Sequence, residues 1–163
     1  MHLRHFSKSL PMSLLRAREA VMRRFRPSLR QYGITEQQWR VLRALSSVVQ
    51  IEVTELARAT FLLGPSLSRI LQDLESRGLV LRTANSSDLR RGVISISQAG
   101  RNLIATATPR SEAIYADITT RFGAERLATL QTLLRELEEV LAGSEPPASQ
   151  DGDDHSRWDG LPP

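Results

Sequence analysis

The chain has 163 residues, 40% of them hydrophobic, which suits one domain with short arms, and it carries 22 Lys+Arg against 18 Asp+Glu. It has no cysteine, and its three histidines, His2, His5 and His155, stand near the ends. Disulfides, iron–sulfur sites and thiol chemistry are thereby excluded, and a zinc site or a Ser-His-Asp triad lacks its usual members. No apolar run approaches the roughly 18 residues a membrane span needs, and no signal-peptide pattern opens the chain. The expectation is a cytoplasmic protein with no metal and no redox cofactor.

In chain order, residues 1–9 read as an arm. From Leu10 to Arg30, apolar residues at Leu14, Val21, Met22, Phe25 and Leu29 fall on one face at helical spacing, and Tyr32-Gly33 ends that helix. Thr35 caps the next, with Gln38 as capping-box partner and Trp39, Leu42 and Leu45 inward. Thr54 is expected to cap a short third helix, Glu55 to Thr60. Gly64-Pro65 opens a fourth, Ser66 to Arg77, closed by Gly78.

The period then changes from 3.6 to 2. Leu79–Leu81 and Val93–Ile96 read as strands of a hairpin around TANSSDLRRG. A long helix follows to about Phe122, expected to bend or break near Pro109. The last helix, Ala124 to Leu141, carries Leu127, Leu130, Leu134, Leu137 and Leu141 at steps of three and four. The fold class is therefore mainly α with a small β-hairpin: a winged helix-turn-helix, its DNA-binding core at about 35–97, flanked by N- and C-terminal helices within 10–143. Those outer helices exceed what the small domain needs, and their apolar stripes predict a homodimer.

Residues 144–163 hold four prolines, five acids and one arginine, which predicts an acidic, Pro-rich disordered tail. Without it, 21 bases stand against 13 acids, so the folded part is net +8 where the whole chain is +4. All the bases but Lys8 are arginines, whose forked guanidinium suits phosphates, carboxylates and guanine edges.

On the fourth helix Leu67, Ile70, Leu71 and Leu74 share the inner side, leaving Ser66, Ser68, Arg69 and Gln72 outward. Such side chains reach base edges in a major groove, although a solvated face would look the same. The hairpin tip adds Asp88, Arg90 and Arg91. Adjacent arginines repel, so an anionic partner is the simplest reason for them; Asp88 would orient Arg90, and the arginines would enter a minor groove or meet phosphates. An ordinary polar turn is the plainer alternative.

Thr35-Glu-Gln-Gln-Trp-Arg-Val-Leu-Arg-Ala-Leu45, Leu56-Ala57, Pro65-Ser-Leu-Ser-Arg-Ile-Leu71, Glu75-Ser-Arg-Gly-Leu-Val80, the wing Asp88-Leu-Arg90, Ile94-Ser-Ile-Ser97 and Gly100 together resemble the multiple-antibiotic-resistance regulator (MarR) family. The resemblance runs from about Leu14 to Leu141. With Leu15–Met22 and Phe25-Arg-Pro27, it is nearest the branch that represses homoprotocatechuate (4-hydroxyphenylacetate) catabolism. It implies a winged-helix homodimer with an interface of terminal helices. It also implies a pseudo-palindromic double-stranded operator, read by Ser66, Ser68, Arg69 and Arg90, and release by a small aromatic acid. The missing cysteines and internal histidines set aside the peroxide- and zinc-sensing branches, which favours an organic effector.

Arg18 lies amid Leu14, Val21 and Phe25 on the first helix, and a charge there needs a partner. Either a ligand carboxylate, bound bidentately, or Glu136 or Glu138 across a dimer interface would serve. Trp39 would wall the same cavity or simply pack in the core; Arg43 stands beside it, and Ser9 or His5 would close the pocket from the arm. No Gly-rich phosphate loop, paired-carboxylate site or nucleophile–base pair suggests an enzyme. The readings that compete with a ligand-released repressor are a winged-helix module for protein contact and a DNA-binding regulator with no ligand.

Overall fold

The computed structural model describes residues 6–83 and 92–143. The expected wing residues Asp88, Arg90 and Arg91, together with His5 and the segment 144–163, lie outside them. A short 3-10 turn, Phe6–Lys8, precedes α1 (Leu10–Gln31), α2 (Glu36–Ser46), β1 (Ile51–Glu52), α3 (Val53–Thr60), α4 (Gly64–Ser76), β2 (Val80–Thr83), β3 (Val93–Ile96), α5 (Gln98–Phe122) and α6 (Ala124–Ala142). No helix among the described residues is long and apolar enough to cross a membrane.

Two helices end in the same way. After α1 the amides of Gly33 and Ile34 bond to the carbonyls of Arg30 and Leu29; after α4 those of Gly78 and Leu79 bond to Glu75 and Leu74. Each closure needs a left-handed residue, supplied by Gly33 and Gly78, both at φ +66°. The apolar residue that follows, Ile34 or Leu79, is then turned into the interior. At the start of α2, the Thr35 side chain accepts from the Gln38 amide while Gln38 accepts from the Thr35 amide, the reciprocal cap expected from the sequence.

The core gathers Val41, Leu42 and Leu45 of α2, Leu56 of α3, Leu67, Leu71 and Leu74 of α4, Val80, Ile94 and Ile96 of the sheet, and Ile104 of α5. Burial of these aliphatic faces drives the α2–α3–α4 arrangement. The sheet has the order β1-β3-β2 and is antiparallel throughout, with Ile51 opposite Ile94 and Val80 opposite Ile96.

Three sequence expectations are corrected. Strand β1 was not foreseen; its pairing with β3 carries the chain straight into α3, so the helix starts at Val53, whose amide donates to the Gly92 carbonyl, and Thr54 is not its cap. β2 starts at Val80 because Leu79 completes the closure of α4. Pro109 does not break α5, which is continuous from Gln98 to Phe122. Ala105 and Pro109 are both exposed, so the hydrogen bond a proline cannot make falls on the exposed side.

The described residues form two compact units, one up to Asp117 and one from Ile118 onward. In the second, Gly123 takes a positive φ and joins the end of α5 to α6. The Arg126 guanidinium stands 4.8 Å from the Phe122 ring centroid. No residue of α6 is buried, and Leu130, Leu133, Leu134 and Leu141 are exposed.

Candidate functional site

The first surface lies on α4. Leu67, Leu71 and Leu74 are fully buried and Ile70 packs partly against the core, which turns Ser66, Ser68, Arg69 and Gln72 to the outside. All four lie in the first nine residues of the helix, three of them in its first two turns. Pro65 fits early in the helix, where its missing N–H removes no bond. One side-chain contact ties α4 to α2, Gln38 Nε2 donating to Asp73 Oδ2 at 2.7 Å; Arg77, the cap of α4 itself, reaches the same carboxylate at 3.3 Å. One side chain, Gln38, thus caps α2 and grips α4.

The second feature is a cavity of about 570 Å³ lined by Arg18, Met22, Glu36, Trp39, Arg40, Arg43, Phe61 and Tyr115. That volume is in the usual range for small-molecule sites, about 300–1,000 Å³. α2 presents Glu36, Trp39, Arg40 and Arg43 to it at helical spacing, and α1 presents Arg18 and Met22 one turn apart. The Arg43 guanidinium stands 5.9 Å from the Trp39 ring centroid. Tyr115 packs on Phe25, centroids 5.0 Å apart.

Glu36 organises the charges. Its side chain is 8% exposed and meets three arginines. Arg18 and Arg40 approach Oε1, Arg40 at 3.3 Å, and Arg26 Nε donates to Oε2 at 3.0 Å. Arg26 also holds Glu19 through two bonds of 2.8 Å. Those hydrogen bonds hold the Glu19 carboxyl below its ordinary pKa, and raise that of Arg26.

Arg18 therefore finds Glu36, and Glu19 at 3.1 Å, within its own chain, rather than needing Glu136 or Glu138. It is also 44% exposed, because Leu14 and Val21 of its stripe are themselves open in the single chain. Trp39 packs partly against the core and also lines the cavity. Ser9 is not in that lining; its hydroxyl donates to the Phe6 carbonyl at 2.9 Å.

The sequence reading missed Met22, Glu36, Arg40, Phe61 and Tyr115. The first three carried a signal, being at one-turn spacing from Arg18, Trp39 or Arg43. Phe61 and Tyr115 had none, since only packing brings them in.

The cavity lining has three arginines against one glutamate, with aromatic walls. Such a site favours an anion carrying a ring. Among the described residues no cluster of His, Asp or Glu is placed to hold a metal.

A helix-turn-helix backed by a small antiparallel wing sheet defines a winged-helix regulator. The pattern of the MarR family matches residues 32–91. The chain is 40% identical over 128 residues to the homoprotocatechuate degradative operon repressor of Escherichia coli, covering 78% of this chain and 86% of the relative. It is similar to the solved transcriptional regulator PA4135, with TM-score 0.77, 40% identity, and coverage of 85% of this chain and 98% of that one. It is also similar to NadR solved in complex with 4-hydroxyphenylacetate, with TM-score 0.77, 34% identity, and coverage of 84% and 100%. The chain belongs to the MarR family, and is a transcriptional regulator rather than an enzyme.

Proposed function

We propose that the protein is a cytoplasmic, homodimeric repressor of an aromatic-acid catabolic operon, released from a pseudo-palindromic operator by a small aromatic carboxylic acid. The observation that carries this reading is the cavity in which Arg18, Arg40 and Arg43 outnumber Glu36 beside Trp39 and Tyr115. An aromatic acid satisfies both halves of it: the carboxylate meets the arginines and the ring lies against the aromatic side chains. The relative that represses a homoprotocatechuate operon and the NadR complex with 4-hydroxyphenylacetate support the same ligand class. Ser66, Ser68, Arg69 and Gln72 would read the major groove, with Arg90 and Arg91 on the backbone or minor groove and Asp88 orienting Arg90. The open leucines of α6 and the open stripe of α1 support assembly with a second copy.

Thermal shift against a panel of aromatic acids tests the ligand. Stabilisation by one class, lost in Arg18→Ala, is the expected result. No stabilisation by any acid would return the protein to a ligand-independent regulator, and retained stabilisation in the mutant would remove Arg18 from the site.

A further inference from the structure

We propose that Arg40 is the positioning residue through which the cavity acts on the recognition helix α4, a link that rests on the ligand reading above. The two terminal nitrogens of its guanidinium serve different partners. Nη2 faces Glu36 Oε1 at 3.3 Å, inside the cavity, while Nη1 donates to the main-chain carbonyl of Thr60 at 2.8 Å. Thr60 is the last residue of α3 and 1% exposed, its hydroxyl already donating to the Leu56 carbonyl at 2.6 Å. Four residues later α4 begins. One flat side chain therefore ties the carboxylate of the cavity to the turn that sets the start of the helix bearing Ser66, Ser68 and Arg69.

That turn is held under strain. Phe61 sits at φ 52°, ψ 43°, left-handed for a residue with a bulky side chain, and it also lines the cavity. α4 has a second attachment, Gln38 to Asp73, which does not involve the cavity. The Arg40 link, unlike that one, can thus sense the ligand. An anion among Arg18, Arg40 and Arg43 competes with Glu36 for the same nitrogens. The guanidinium is rigid, so turning Nη2 toward a new carboxylate draws Nη1 off the Thr60 carbonyl, which is left without that donor. The turn then relaxes and the start of α4 shifts.

A double-mutant cycle on the full chain tests this with no acid present. Arg40→Met and Glu36→Gln are each expected to weaken operator binding about tenfold, a usual coupling magnitude, and the double mutant to be no weaker than either single. Singles within about twofold of wild type, or a double mutant as weak as the product of the singles, would overturn the link. Should Glu36→Gln not fold, Arg40→Lys decides: an ammonium lacks the flat, two-nitrogen fork that couples one partner to the other, so a lysine variant with wild-type affinity also overturns it. With 4-hydroxyphenylacetate added, Arg40→Met is expected to bind operator equally with and without the acid. A wild type indifferent to the acid sinks the ligand reading, while the acid-free cycle still decides the Arg40 link.

Discussion

Gly100 sits where the first turn of α5 meets the sheet. A Cβ there would collide with the Leu79 carbonyl and stand 2.7 Å from Ile96 Cγ1. Gly100→Ala should therefore destabilise the fold by about 1–3 kcal/mol, the usual cost of overpacking, read as a lower denaturation midpoint. On the DNA side, Arg69→Ala should weaken operator binding and flatten base preference in a gel-shift against operator variants; unchanged preference would move readout elsewhere. At this scale the sequence was legible where a helix wheel decides, as for Leu67, Leu71 and Leu74 inward and Arg69 outward. That Arg18 needed an acid was legible too. Which acid was not, because Glu36 lies 18 positions away on another helix and only the α1–α2 packing brings them together.

Among the elements, the caps and stops were the readable parts: Thr35 with Gln38, Gly33 and Gly78 each mark a boundary by local chemistry. β1 was not readable, because two residues have no periodicity and become a strand only by pairing with β3. Nor was the unbroken α5, since a proline on an exposed side leaves no mark that separates it from a break. The α3–α4 turn is the strained connection. Phe61 is 81% exposed, so its ring contributes little to burial while its left-handed backbone costs about 1 kcal/mol or more. Phe61→Gly relieves that strain but gives the unfolded chain more freedom, so stability should rise by a smaller amount, up to about 1 kcal/mol. A lower midpoint for this variant would contradict the strain.

In the whole molecule residues 1–143 are net +8 and residues 144–163 net −4, a contrast hidden in the overall +4. Open leucines at 130, 133, 134 and 141 leave α6 without a buried face in one chain. Leu134→Glu should accordingly shift the protein from dimer to monomer in sedimentation; an unchanged mass would place the interface elsewhere. The regulator class was readable from the sequence because cap, helix face and wing spacing agree. The cavity was readable only in part, since its walls come from α1, α2, the α3–α4 turn and α5. The most direct measurement is operator affinity of the intact protein by fluorescence anisotropy, titrated with 4-hydroxyphenylacetate at fixed salt, alongside Arg18→Ala. The acid is expected to weaken wild-type binding about tenfold or more and to leave Arg18→Ala on the operator. Operator affinity that does not change with the acid in the wild-type protein, or that falls equally in Arg18→Ala, would contradict that expectation.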